Sequence, residues 1–140
     1  MPLDDQTLQD LAAFVHAFAI SQLQAKGLYE SLAVDSIVLY GGAARFHLGL
    51  APNYDDYDLN VFFRRLAGYK NRDARRFNRR GAFWDAGIFK QKEVQVLFNV
   101  LLNHESWLDS ARRRQGERWS RIRNSPVCLL YPNRVDYQHL

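Results

Sequence analysis

Apolar side chains recur at three- and four-residue intervals near the start of the chain, at Leu8, Leu11, Val15 and Phe18, a spacing that lines one face of an α-helix. Asp4 or Asp5 stands where an N-cap is expected and Gly27 where a helix ends, so the pattern predicts an amphipathic helix from Asp4 to about Lys26 that covers one face of a sheet. The periodicity then changes. Ser36-Ile37-Val38-Leu39-Tyr40 is a short apolar run stopped by Gly41-Gly42, the form of a buried strand that ends at a turn. Ala43 to Gly49 or Leu50 reads as a short helix, Pro52-Asn53 as a turn, and Tyr57 to Phe63 as a second strand. From Gly68 to Arg80 the chain is polar and basic, which predicts a loop with a short helix. Ala82 to Phe89 and Glu93 to Leu102 read as two more strands joined tightly through Lys90-Gln91-Lys92, with partial helix as the alternative for the second. Asn103 is placed to cap a helix running to about Gln115, where Gly116 interrupts it, and Val127 to Tyr131 reads as a final strand before Pro132.

These elements add up to an α+β domain, a small mixed β-sheet packed with helices. The chain has 140 residues, 47% of them hydrophobic, enough for one core and short for two, and it contains no repeat, low-complexity tract or linker. A single domain over residues 1–140 is expected. No run approaches the ~18 apolar residues of a membrane span, and the Met1-Pro2-Leu3-Asp4-Asp5 start lacks the basic-then-apolar order of a signal peptide. A cytoplasmic protein with no membrane partner is the expectation. Cys128 is the single cysteine and lies in the apolar run Val127-Cys128-Leu129-Leu130, which excludes an internal disulfide and reads as a buried thiol. A cysteine metal site is not expected from this pattern.

The formal net charge is only +4, but it is unevenly spread. Arg64, Arg65, Lys70, Arg72, Arg75, Arg76, Arg79 and Arg80 face Asp73 alone, a local +7, and Arg112, Arg113, Arg114, Arg118, Arg121 and Arg123 face Glu117 alone, a local +5. Such clusters suit polyphosphate or an RNA backbone, or else form solvated faces balanced by acids elsewhere. Phe77, Phe83, Trp84, Trp107 and Trp119 are interleaved with them, either as core or as platforms on which bases stack.

The densest chemistry lies between Gly41 and Phe63. Along a strand alternate side chains share a face, so Asp56 and Asp58 are expected to point the same way with Cα atoms roughly 6.6 Å apart. Two carboxylates so placed can ligate divalent ions, and a pair of ions activates an attacking oxygen while steadying a leaving pyrophosphate. Mg²⁺ suits such hard oxygen ligands, with Mn²⁺ as a substitute. Gly41 and Gly42, lacking Cβ atoms, allow the backbone to approach phosphate, the amides opening the following helix can donate to it, and Arg45 adds a charged clamp. Of the four histidines, His16, His47, His104 and His139, no pair has metal-ligand spacing, and His47 reads as a packed or surface residue. No nucleophile elbow, Walker-type phosphate loop or Cys/His dyad stands out.

The order strand, Gly41-Gly42-Ala43-Ala44-Arg45, short helix, turn, Asp56-Tyr57-Asp58-Leu59 strand resembles the head of the polymerase β-type nucleotidyltransferase superfamily, most of all its tRNA CCA-adding and poly(A) polymerase type. The resemblance covers about Ile37 to Phe63 well and extends more loosely to about Asn99. It implies a metal-dependent transfer of a nucleoside monophosphate from a nucleoside triphosphate to an acceptor hydroxyl on RNA, a small molecule or a protein. Asp56 and Asp58 would hold the metal, Gly41, Gly42 and Arg45 the triphosphate. The family takes a third carboxylate from a later, adjacent strand, for which Glu93 is the candidate and Asp85 a poorer one; if Gln95 holds that register position instead, metal binding is weakened. Ala43 stands where many minimal relatives carry a phosphate-binding serine, Phe46 follows Arg45 where CCA-adding enzymes usually carry an acid or amide, and the long tRNA-reading helical body is missing. Two alternatives therefore accompany the enzyme: an inactive nucleotidyltransferase-like module that binds RNA or nucleotide, and an antitoxin-like protein that acts with a helical partner.

Overall fold

In a computed structural model, which describes residues 3–77, 83–113 and 126–138, the chain forms an α+β fold on one six-stranded mixed sheet. Helix α1 spans Asp5–Ala25, strand β1 Leu32–Tyr40, helix α2 Gly41–His47 and strand β2 Tyr57–Arg65. A 3₁₀ turn over Asn71–Arg76 precedes the hairpin of β3, Trp84–Phe89, and β4, Lys92–Val100; α3, Trp107–Arg113, β5, Val127–Tyr131, and β6, Val135–Tyr137, complete the order. The strands lie side by side as β3-β4-β2-β1-β5-β6, antiparallel at every step except the parallel pair of β2 and β4. Among the described residues no helix is long and apolar enough to cross a membrane.

Helix α1 begins because the Asp4 side chain accepts a 2.7 Å hydrogen bond from the Thr7 amide, and it gives way at Gly27, whose φ of +67° a side chain would strain. Leu8, Leu11, Val15, Ala19 and Leu23 form its buried stripe, while Phe18 lies half-buried against Phe98 with ring centroids 6.0 Å apart. The stripe packs on one sheet face, onto Ile37 and Leu39 of β1, Leu59, Val61 and Phe63 of β2, and Val94, Val96 and Phe98 of β4. Each fully buried leucine here is worth roughly 2–5 kcal/mol against alanine, which makes α1 part of the fold's foundation. The opposite face is covered by less. Val38, Tyr40, Phe62, Leu97, Val127 and Leu129 meet Trp107 and Ala111 of α3 there.

Several expected elements shift. The first strand starts at Leu32, earlier than its continuous apolar run, because a register irregularity between Val34 and Ser36 lets the sheet absorb Asp35. Asn103 does not cap α3; the helix begins later, with Ser106 Oγ accepting from the Asp109 amide, while Glu105 accepts from the Leu102 amide. The expected helix end at Gln115 and Gly116 lies outside the described residues. Strand β6, with only Val135 and Tyr137 as alternating apolar positions, is too short for its periodicity to have announced it.

Candidate functional site

The glycine turn and the carboxylate strand are brought together by the pairing of β1 with β2. Tyr40 lies directly opposite Asp58, so the chain leaves β1 at Gly41 immediately beside the Asp58 side chain. Gly41 has φ +69°, and a Cβ built on it would come 3.0 Å from Asp58 Oδ2, tighter than ordinary packing. Glycine is required there twice over, by its backbone angle and by the carboxylate. At Gly42 a Cβ would meet Arg45 Nη2 at 3.9 Å and Tyr54 Cβ at 3.8 Å, so the Arg45 guanidinium turns back over the same turn that Asp58 borders. Arg45 itself is exposed and α2 is only seven residues long.

Asp56 stands in the bend one residue before β2, half-buried, and Asp58 is the second residue of the strand. Tyr54 anchors that bend: its hydroxyl lies 3.1 Å from that of Tyr57, its ring packs on Phe46 of α2 at 4.8 Å, and its carbonyl accepts 2.9 Å from Lys92 Nζ. Burial, reinforced by the Tyr54 hydroxyl, raises the Tyr57 phenol well above the tyrosine range. Lys92 therefore ties the β3–β4 hairpin to the segment carrying Asp56, with its ammonium 4.5 Å from the centre of the Tyr54 ring.

The parallel register of β2 and β4 decides which β4 residue neighbours the carboxylates. Asp58 is level with Gln95 and Tyr57 with Val94, so Glu93 stands one step earlier, level with the position of Asp56. Paired residues share a face, so Asp58, Gln95 and, two residues along β4, Glu93 lie on the sheet face away from α1. Neighbouring strands are about 4.8 Å apart, which puts the Asp58 and Glu93 Cα atoms roughly 8 Å from one another and leaves the amide Gln95 as the side-by-side neighbour. Asp85 pairs with Gln95 from the far side, on β3, and its Oδ1 accepts 2.9 Å from the Gly87 amide. Tyr40, Asp58, Gln95 and Asp85 thus form one row across four strands. Deeper on the same face, Asn99 Nδ2 donates to Asn60 Oδ1 at 2.6 Å, a polar tie between β2 and β4 beneath the carboxylates.

The basic segment is partly committed to structure. Arg64 donates to the Val34 carbonyl, Arg65 lies over the Tyr69 ring at 4.6 Å, and Arg76 donates to the Lys26 carbonyl. Asp73, the one acid there, is buried and accepts from the Lys70 amide at 2.8 Å. Arg72 and Arg75 are exposed, whereas Arg79 and Arg80 lie outside the described residues. In the second cluster Arg113 is bidentate to Glu105 at 2.7 and 3.1 Å, Arg112 is exposed, and Arg114, Arg118, Arg121, Arg123 and Trp119 lie outside the described residues. Phe77 and Trp107 are buried, with Phe77 packed on Phe63 and Phe98 and Trp107 on Phe62, so these two rings are core and not base platforms.

A second constellation escaped the sequence. His47, at the end of α2, Cys128 on β5 and Asp136 on β6 place potential ligand atoms all within 4.8 Å of one another. They are 81 and 8 positions apart in the chain, and only the antiparallel pairing of Cys128 with Asp136 and the return of α2 onto β5 assemble them. Comparison with family models, curated proteins and solved structures finds no match to this chain.

Proposed function

We propose that the protein is a metal-dependent nucleotidyltransferase that moves a nucleoside monophosphate from a nucleoside triphosphate to an acceptor hydroxyl. The observation that carries this reading is the fit of Gly41 to Asp58: a side-chain-free turn leaving β1 directly beside a strand carboxylate, at 3.0 Å from a would-be Cβ to Oδ2. Phosphate oxygens need close backbone approach and a divalent ion needs carboxylate oxygens, and this corner of the fold offers both within one contact. Asp56 and Asp58 are assigned as the Mg²⁺ or Mn²⁺ ligands, and Gly41, Gly42 and Arg45 as the triphosphate cradle. Magnesium bound there would neutralise phosphate charge and orient the α-phosphorus for in-line attack. Glu93, on the same sheet face one register step before Val94, is assigned to assist as a further ligand or as the base toward the acceptor hydroxyl. The exposed Arg72 and Arg75 offer a positive surface suited to RNA phosphates, but they follow the Arg65 end of β2, opposite the end that carries Asp58.

One observation favours a second reading. The neighbour of Asp58 on β4 is Gln95, an amide that brings no negative charge to a metal. A binding module that holds nucleotide without transferring it follows if Glu93, level with Asp56, does not complete the ligand set. The test is titration of the protein with ATP in the presence and absence of Mg²⁺. Mg²⁺-dependent binding that is lost in Asp58→Asn supports the site in either reading; binding that is indifferent to both metal and Asp58 removes it.

A further inference from the structure

We propose that His47, Cys128 and Asp136 form a binding site for a zinc-type dication that fastens the end of α2 to the β5–β6 hairpin. The residue types are those zinc prefers: a thiolate, an imidazole nitrogen and a carboxylate, three protein ligands with a fourth position left for solvent. Ligands around a tetrahedral zinc at ~2.0–2.3 Å stand roughly 3.3–3.8 Å from one another. His47 Nε2 and Asp136 Oδ2 are already 3.3 Å apart, and all three ligand atoms lie inside 4.8 Å, so contraction by about 1 Å completes the triangle.

The metal-free arrangement leaves the imidazole poorly satisfied. The His47 side chain is 6% exposed, and its Nε2, the nitrogen that faces Asp136, has only long contacts, 3.3 Å to Asp136 and 3.4 Å to Arg134 Nη2. Such distances are loose for hydrogen bonds but natural for neighbouring ligands of one ion. Charge also balances: the Cys128 thiol releases its proton to solvent on binding, and one thiolate with one carboxylate neutralises the dication. Arg134 is the resting countercharge, 3.4 Å from Asp136, and it has a second carboxylate, Asp5, to hold when an ion takes its place.

The same three residue types make up thiol-nucleophile triads, but the environment argues against that chemistry. Cys128 is fully buried, and burial, followed by the charge of Asp136, pushes its thiol up to about 12, the reverse of an activated nucleophile. A bound dication overcomes that resistance directly, because coordination deprotonates a thiol. The site is separate from the carboxylates of β2, since His47 occupies the opposite end of α2 from Gly41. Its role is to hold the helix that carries the glycine turn.

The experiment adds Zn²⁺, and Co²⁺ as a spectroscopic probe, to the chelator-stripped full chain. One equivalent of zinc should bind and raise the unfolding temperature, and Co²⁺ should give a thiolate-to-cobalt charge-transfer band that Cys128→Ser abolishes. Asp136→Asn, at an exposed position that leaves the core intact, should weaken zinc by about tenfold or more, and Arg134→Ala, which removes the competing cation, should tighten it. Asp58→Asn should leave zinc stoichiometry unchanged. Absence of stoichiometric zinc binding by the parent, or binding that ignores Asp136→Asn and shows no thiolate band with cobalt, overturns the proposal.

Discussion

Gly41 and Asp58 are matched across the first strand pair: the turn residue has no side chain and a left-handed φ of +69°, and the space a Cβ would take is filled by the Asp58 carboxylate at 3.0 Å. Gly41→Ala therefore meets two penalties. The backbone angle alone costs about 1–2 kcal/mol, and the carboxylate must also move. Gly27, at φ +67° with nothing within 4 Å of its would-be Cβ, provides the control, since Gly27→Ala meets only the first penalty. Urea unfolding should show the Gly41 variant as the less stable of the two, and nucleotide binding should weaken in that variant alone.

Gln95→Glu puts a carboxylate at the register position level with Asp58, between Asp58 and Asp85. In the absence of metal the added charge beside existing acids should lower stability; with Mg²⁺ present, metal affinity should rise, on the order of tenfold. Urea unfolding of the metal-free protein checks the first sign, and a calorimetric titration with Mg²⁺ or Mn²⁺ the second. Glu93→Gln should act in the opposite direction on metal-dependent nucleotide binding.

The β3–β4 connection is strained for its sequence. Lys90 at φ +47° and Gln91 at φ +70° take the two left-handed positions that a type I′ turn reserves for Asn-Gly. Replacing both residues with Asn-Gly should raise unfolding free energy by about 1 kcal/mol, less what Lys90 contributes through its 3.0 Å bond to Thr7. Single replacement Gln91→Gly, which keeps Lys90, should retain most of the gain.

The N-cap of α1 gives a pH dependence of known sign. The Thr7 hydroxyl and then the Thr7 amide hold the Asp4 carboxyl below its ordinary value of 3.8. A carboxyl depressed in the folded state contributes stability that is present above its unfolded value and disappears as pH falls through the folded one. The parent should thus exceed Asp4→Ala in unfolding midpoint at neutral pH, with the gap closing below about pH 3.8. A gap that widened toward acid would contradict this assignment.

How much of this was legible in the sequence follows from the range of each interaction. Helix α1 and the break after β1 at Gly41 are local, and caps, periodicity and glycines announced them, although the short helix expected from Ala43 to Gly49 or Leu50 begins at Gly41 and ends at His47. The strand carrying Asp58 was visible for the same reason, although Asp56 falls in the bend before it and not on the strand. Which β4 residue neighbours Asp58 was not, because register is set by long-range pairing between β2 and β4 and a shift of two residues exchanges Glu93 for Gln95 without altering either pattern. His47, Cys128 and Asp136 were invisible as a group, since none carries ligand spacing to another within one element. Asn103 misled because a good capping residue was present, yet the Trp107 side chain, buried against Phe62, fixes the helix further along.

The most direct test of nucleotidyl transfer at Asp56 and Asp58 is transfer of label from each α-labelled nucleoside triphosphate, with Mg²⁺ or Mn²⁺, onto total RNA or protein by the parent and by the Asp56→Asn/Asp58→Asn variant. The parent should incorporate label and the variant should lose it, with the labelled fraction identifying the acceptor. Equal incorporation by both, or none with any nucleotide and either metal, would contradict transfer by these carboxylates.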